Sequence, residues 1–190
     1  PAGHRLRISV STSYWPLIWP APVQATVTVV TGPSTRLSLP VRAPRPEDDA
    51  LPDLGAPEGA PGPEVATLAT GEHSWKVTRD LATDVSTLEI VNDQGTFRLE
   101  ETGTTIHRDT REWYSFRWND VNSVRGETRT VRRFERDDWR TEVVTRTVLT
   151  SDEESFFITA QLDAYELAEE RGNPRVWSQN WDVTIPRDLV

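Results

Sequence analysis

We expect the chain to be organised around GHRLRISVSTSYWPLIWP, residues 3–20. In its first half Leu6, Ile8 and Val10 alternate with polar side chains, which is the period of a β-strand with one buried and one solvated face. In its second half the prolines remove amide donors and fix the backbone, so the strand cannot continue in the middle of a sheet. The stretch predicts a strand and then a rigid loop over residues 14–20, which we call the aromatic-proline loop.

The aromatic-proline loop carries more apolar surface than a loop usually exposes. Each large aromatic side chain buries about 150–250 Å² when it packs. We therefore expect the loop to cover another surface. The candidate interface residues are Tyr14, Trp15, Pro16 and Trp19.

These residues carry a resemblance to a known family. The run GHRLRIS at residues 3–9, followed by an aromatic loop rich in proline, resembles the C-terminal non-catalytic region of the CocE/NonD and X-Pro dipeptidyl-peptidase hydrolases. The likeness is firmest over residues 2–42, and IPRDLV at residues 185–190 resembles the ending of a subset of long members. The resemblance implies a β jelly roll of the galactose-binding-like type beside a catalytic α/β-hydrolase domain. It also implies several strands before residue 3, so that half of the sandwich would be missing.

Composition predicts three segments along the chain. Residues 1–42 read as strands resembling part of a jelly roll, residues 43–72 as a linker rich in Pro, Gly and acidic side chains, and residues 73–190 as an antiparallel β meander. Within the first segment, residues 23–30 and 36–42 are two further strand candidates around a Gly-Pro turn. The predicted fold class is all-β, with an antiparallel sandwich or jelly-roll-like part followed by the meander.

The meander is predicted from seven or eight apolar alternating segments at hairpin spacing. Asn92-Asp93-Gln94-Gly95 reads as a turn between two of them, and residues 163–172 as a loop with a short helical turn. An antiparallel sheet of this kind packs one face and exposes the other.

Charge and composition limit the function. The 190 residues carry a formal charge of −9, which argues against binding to nucleic acid or to an anionic membrane. The absence of cysteine excludes thiol chemistry and leaves the cytoplasm as the default location. A chain without methionine that begins at Pro1 is expected to be a fragment or a processed product. No cofactor is expected.

Catalytic motifs are missing from the sequence. A hydrolase nucleophile needs G-x-S-x-G at a strained turn, and the sequence has no such motif, so we expect no enzyme activity from this segment. His4, His73 and His107 lack the spacing of a metal site, and a surface or structural role is favoured for each. The acidic pairs read as turns rather than as calcium ligands.

Seven arginines between residues 125 and 146 form a basic stripe, but acidic residues are interleaved with them. This pattern favours a ladder of cross-strand ion pairs over a nucleic-acid surface.

The eight tryptophans leave two alternatives open. Trp177 and Trp181 share one face of a strand with Val183 and Ile185, which favours a place in the core. An exposed tryptophan platform, including Trp113, would instead suit a free-standing carbohydrate-binding β-sandwich.

The favoured function is a non-catalytic C-terminal accessory β region of an α/β-hydrolase-type serine hydrolase, an acyl esterase or X-Pro dipeptidyl-peptidase. It would serve domain packing, oligomerisation or substrate-pocket shaping. The expected partner is the catalytic domain of the same protein or a second copy of the chain, and the carbohydrate-binding module is the alternative.

Overall fold

The computed structural model describes residues 3–168 and 172–188. It divides the chain into two compact units, one formed by Pro1–Ala25 with Pro63–Val190 and the other by Thr26–Gly62. The domain boundaries expected from composition are not tested by this division and stay a prediction. Across the described residues no helix is long and apolar enough to cross a membrane.

The larger unit contains one antiparallel sheet of eight strands. The strands are β1 (Val65–Ala69), β2 (His73–Asp80), β3 (Val85–Leu99), β4 (Thr104–Arg117), β5 (Asp120–Arg136), β6 (Trp139–Ser151), β7 (Ser155–Glu166) and β8 (Arg175–Pro186). From β3 to β8 each strand pairs with the next along the chain, while β1 and β2 pair with the two halves of β3. The predicted all-β class and antiparallel meander are confirmed.

The register gives the sheet two distinct faces. Residues directly opposite on antiparallel strands share a face. One row runs Leu88, Tyr114, Gly126, Leu149, Ile158 and Val183, and we call this the loop face because the aromatic-proline loop packs on it. The neighbouring row runs Glu89, Trp113, Glu127, Val148, Thr159 and Asp182, and its side is called the ion-pair face.

The predicted turn at residues 92–95 is wrong, because these residues lie inside β3 as a β-bulge. The register shifts between Asp93 and Gly95, where the Asp93 carboxylate accepts a hydrogen bond from the Gly95 amide at 2.7 Å. Gly95 has φ +72°, and a Cβ there would lie 2.1 Å from the carbonyl oxygen of Ala69. The connection between β1 and β2 therefore crosses close to the bulge, and β3 continues past it instead of reversing.

The strands predicted within residues 1–42 are not formed among the described residues 3–42. An extended segment becomes a strand only when a neighbour takes up its backbone hydrogen bonds, and the sheet of residues 65–186 is made without these segments. Val65–Ala69, in contrast, lies in the predicted linker and is strand β1. Residues 163–166 extend β7, so the predicted helical turn is absent there, and residues 169–171 lie outside the described part.

The smaller unit, taken by itself, contains a turn and one short helix. The Thr35 amide donates to the Gly32 carbonyl at 3.0 Å, which confirms the turn predicted at the Gly-Pro pair. A 3-10 helix spans Pro46–Asp48, and the Asp48 carboxylate accepts hydrogen bonds from the Arg42 guanidinium at 2.6 Å and from the Arg45 amide at 2.9 Å.

Candidate interface at the aromatic-proline loop

Trp15 and Trp19 of the aromatic-proline loop are half-buried against the chain's own sheet. Their rings meet edge to face, with centroids 5.0 Å apart and planes at 89°. Trp15 makes a second edge-to-face contact with Tyr114 at 5.8 Å, and Trp19 does the same with Phe156 at 5.8 Å. These geometries are the favoured ones for aromatic pairs. The loop therefore packs through a chain of four rings onto β4 and β7.

Gly126 on β5 gives the loop room to approach. A Cβ at this position would lie 3.6 Å from the Tyr114 ring and 4.0 Å from the Trp19 ring. The loop face has no side chain in the middle of the Tyr114 row, and the two rings fill that space.

Ser151 at the end of β6 is the polar anchor of the loop. Its hydroxyl oxygen accepts a hydrogen bond from the Trp19 indole N–H at 2.8 Å and another from the Arg187 guanidinium at 3.2 Å. Ser151 is buried, so both donors are satisfied away from water. Buried polar groups without partners are costly, and this shared acceptor removes that cost for the indole.

Arg187, which follows β8, ties the loop to the far end of the chain. It is only 8% exposed, and its guanidinium donates to the Pro20 carbonyl at 2.7 Å and to the Asp152 carbonyl at 2.9 Å. The same group lies 4.8 Å from the centre of the Phe156 ring, a cation–π distance. The aromatic-proline loop and the residue that follows β8 thus meet at Arg187.

Tyr114 contacts Trp15, and its pKa lies above the usual value for a tyrosine. Burial, together with the hydrogen bond from its hydroxyl to the Glu112 carboxylate at 2.8 Å, raises the pKa of Tyr114 to about 12. Both causes favour the protonated phenol, because a tyrosinate would be desolvated and would face a carboxylate.

The outer side of the loop is apolar and open to solvent. Tyr14 is 62% exposed and Leu17 is 73% exposed, and Ile18 is exposed beside them. Of the four candidate interface residues, the structure turns Trp15 and Trp19 inward, leaves Pro16 partly covered and points Tyr14 outward. The contact of this surface with a partner stays a prediction.

A small apolar cavity lies between the loop and the β4–β5 hairpin. Its volume is about 260 Å³, and its apolar lining comes from Trp15, Pro20, Phe116, Val121 and Val124. The loop therefore creates a recess as well as a surface.

Sequence reasoning missed Ser151 and Arg187 as anchors of the loop. The family likeness predicted at residues 185–190 is the sequence signal that includes Arg187, and it stays a prediction. Ser151 lies at the end of a strand, and the neighbouring sequence contains no pattern that marks it as an anchor.

The prediction that Trp177 and Trp181 lie in the core is wrong. Trp177 is 49% exposed and Trp181 is 41% exposed, with ring centroids 6.5 Å apart and planes tilted by 52°. Every residue of β8 is exposed, because this strand pairs on one side only and the loop packs elsewhere on the face. Trp177 and Trp181 share one face, as predicted, but that face lacks the covering layer that a core position needs.

The basic stripe is an ion-pair ladder, as predicted. Arg133 and Glu142 are directly opposite and 2.5 Å apart, and Arg146 contacts Glu127 at 2.6 Å. Among the histidines, His4 and His73 are exposed and His107 contacts the Thr96 hydroxyl at 3.3 Å. In the described part of the chain no three His, Cys, Asp or Glu side chains are grouped as metal ligands would be.

The fold and the loop define an all-β chain whose N-terminal loop packs on its own antiparallel sheet. Residues 1–46 match the family model described as the X-Pro dipeptidyl-peptidase C-terminal non-catalytic domain. The resemblance to a CocE/NonD-type C-terminal domain is confirmed over those residues. The match does not include residues 47–190, which contain the whole sheet. No curated protein and no solved structure matches the chain.

Proposed function

We propose that the chain is an accessory β region of an α/β-hydrolase-type serine hydrolase, an acyl esterase or an X-Pro dipeptidyl-peptidase. The observation that carries the proposal is the match of residues 1–46 to a domain described as non-catalytic. The sequence supports it, because it contains no G-x-S-x-G motif for a nucleophile. A cytoplasmic location is part of the same proposal, as the default for a chain without cysteine.

The aromatic-proline loop is the surface through which the region would act. Its inner side is held by Ser151 and Arg187, so the position of its outer side is fixed. Leu17 and Ile18 then present a preformed apolar patch, and burying such side chains contributes about 25 cal/mol per Å². A preformed patch binds without the cost of ordering a flexible loop. The partner is the catalytic domain of the same protein or a second copy of this chain, and packing there would hold the pair together or shape a substrate pocket.

The experiment uses the natural polypeptide that carries this chain. We expect it to hydrolyse p-nitrophenyl acetate or an Xaa-Pro p-nitroanilide, and the 190-residue chain alone to hydrolyse neither. The double variant Leu17→Asp, Ile18→Asp should lower the activity or the melting temperature of the whole polypeptide, because it places two charges at the packed surface. Leu81→Asp is the matched control, since Leu81 is as exposed but lies in the β2–β3 turn.

Two results would contradict the proposal. One is hydrolysis by the 190-residue chain that a serine-directed fluorophosphonate blocks. The other is a natural polypeptide that hydrolyses neither substrate class. If the double variant and the Leu81→Asp control behave alike, the loop is not the packing surface.

A free-standing carbohydrate-binding module is the second candidate. The observation that favours it is the half-exposed pair of Trp177 and Trp181 on an edge strand. The two candidates differ in the expected assembly, because a free-standing module needs neither a hydrolase domain nor a buried outer side of the loop.

A further inference from the structure

A hollow on the ion-pair face combines one indole with charged and hydroxyl groups. Its volume is about 370 Å³, and it is lined by Thr87, Trp113, Ser115, Arg125 and Glu127. The register explains the grouping, because Thr87 is opposite Ser115 and Trp113 is opposite Glu127 on neighbouring strands. The hollow belongs to β3, β4 and β5 and lies on the side of the sheet away from the aromatic-proline loop.

Hydrogen bonds hold the polar lining in place. The Trp113 indole N–H donates to the Glu89 carboxylate at 3.1 Å, which fixes the edge of the ring. Glu127 forms ion pairs with Arg125 and with Arg146, the latter at 2.6 Å, and the hydrogen bond from Arg146 is the main reason that the pKa of Glu127 lies below its usual value. These contacts position Trp113, Arg125 and Glu127 before any ligand arrives, which lowers the cost of binding.

The charges of the hollow balance each other. The lining contains one guanidinium, of Arg125, and one carboxylate, of Glu127, and these two groups form an ion pair. A phosphate would meet the carboxylate and an ammonium group would meet the guanidinium, so neither ion is attracted by a net charge of the lining. A neutral ligand that both donates and accepts hydrogen bonds suits this lining best.

We propose that the Trp113 hollow binds the ring of a neutral sugar. Adjacent hydroxyls of a pyranose can donate to the Glu127 carboxylate and accept from the Arg125 guanidinium, while the C–H face of the ring packs on the Trp113 indole. The hydroxyls of Thr87 and Ser115 supply further donors and acceptors at the opposite wall. The volume lies in the range of small-molecule sites, which is about 300–1,000 Å³.

The exposed pair on β8 is less suited to the same ligand. The rings of Trp177 and Trp181 are tilted by 52° and do not form one flat platform. The residues opposite them on β7 are Ala164 and Ala160, whose side chains offer no hydrogen bond. Specific recognition of a sugar needs placed polar groups beside the aromatic ring, and the Trp113 hollow has them.

This inference does not depend on the proposed hydrolase role, because an accessory region and a free-standing module can each hold a sugar. The experiment is titration of the 190-residue chain with methyl glycosides of glucose, galactose and mannose and with short oligosaccharides, followed by tryptophan fluorescence and ligand-observed NMR. We expect saturable binding of at least one neutral glycoside below about 10 mM, the range of weak single-site affinities.

Variants locate the site. Trp113→Ala and Glu127→Gln should each weaken binding about tenfold or more, while Trp181→Ala and Trp139→Ala should leave it unchanged, since both of these indoles are exposed elsewhere on the sheet. Thr87→Val with Ser115→Ala removes both hydroxyls at little cost in volume, and this pair should weaken binding severalfold even if Trp113→Ala fails to fold.

The outcomes separate the proposals. Loss of binding in Trp181→Ala but not in the hollow variants would place the sugar on β8 and overturn the Trp113 site. The absence of binding to every neutral glycoside, or tighter binding of inorganic phosphate, would overturn the ligand class. None of these results affects the hydrolysis assays, so failure here and failure of the accessory role are distinguishable.

Discussion

Two pairs of tryptophans on the loop face have opposite environments. Trp15 and Trp19 come from a loop without regular structure, yet they are half-buried and share contacts with Tyr114 and Phe156. Trp177 and Trp181 come from a regular strand of twelve residues, yet they are 49% and 41% exposed. Regular secondary structure and burial are therefore separate properties in this chain.

The difference lies in what each pair is bound to. The loop pair has a polar anchor, because Ser151 accepts from the Trp19 indole and Arg187 holds the Pro20 carbonyl. The strand pair lies on the last strand of the sheet, where only β7 is a neighbour. A loop with specific partners is held more firmly than a strand face that nothing covers.

The largest effect on the free energy of unfolding is expected from truncating Trp19, and truncation of Trp177 is the comparison. Trp19→Ala removes two ring contacts and the hydrogen bond to Ser151, and we expect it to lower the free energy of unfolding by about 3 kcal/mol. Trp177→Ala should lower it by less than about 1 kcal/mol, as for other exposed positions. Urea unfolding followed by far-UV circular dichroism measures both. Equal losses for the two variants would contradict the comparison.

The next largest effect on the free energy of unfolding is expected at Arg187, whose guanidinium holds the loop. Arg187→Met keeps most of the side-chain volume but leaves the Pro20 and Asp152 carbonyls without their donor, so we expect a loss of about 2 kcal/mol. The emission of Trp15 and Trp19 should shift to longer wavelength, with greater quenching by acrylamide. Arg79→Met is the control, because Arg79 is exposed and contacts the exposed Trp118 and Asp84. An unchanged emission in Arg187→Met would show that the loop does not need this anchor.

The sequence predicts the sheet better than it predicts what covers the sheet. Alternation and hairpin spacing locate most of the strands from His73 onward, because side-chain period and turn chemistry are local properties, but β3 continues through the turn predicted at residues 92–95. The same alternation in Leu6, Ile8 and Val10 predicts a strand that does not form, because pairing depends on a neighbour that a local pattern does not contain.

Prediction from sequence has the same limit at the aromatic-proline loop. The prolines predict correctly that residues 14–20 leave regular structure, and the aromatic content predicts that the loop packs on a surface. That this surface is the chain's own β4 and β7 could not be predicted, since Ser151 and Arg187 are more than a hundred residues away in sequence. The two-residue period of a strand correctly predicts that Trp177 and Trp181 share one face, but it does not predict whether that face is covered.

A smaller effect is expected at the shared acceptor. Ser151→Ala leaves the Trp19 indole N–H and one Arg187 N–H without an acceptor, and we expect a loss of about 1.5 kcal/mol. Ser123→Ala is a matched control at the exposed β4–β5 hairpin, where the hydroxyl bonds only backbone groups. Hydrogen exchange should show faster opening of the loop in Ser151→Ala than in the control. The opposite order would mean that the ring contacts alone hold the loop.

The last effect on the free energy of unfolding concerns Tyr114. It is absent at neutral pH and develops only at alkaline pH. The pKa of Tyr114 is about 12 in the folded chain and 10.0 in the unfolded chain, so the folded state binds this proton more tightly. The stability that Tyr114 contributes is complete below pH 10 and is lost as the pH rises toward 12. Tyrosinate absorbance at 295 nm should show one late-titrating group, and Arg187→Met, by freeing Trp15 from Tyr114, should move that group to lower pH. If the late group stays in place when the loop is released, the burial of Tyr114 comes from the sheet itself and not from the loop.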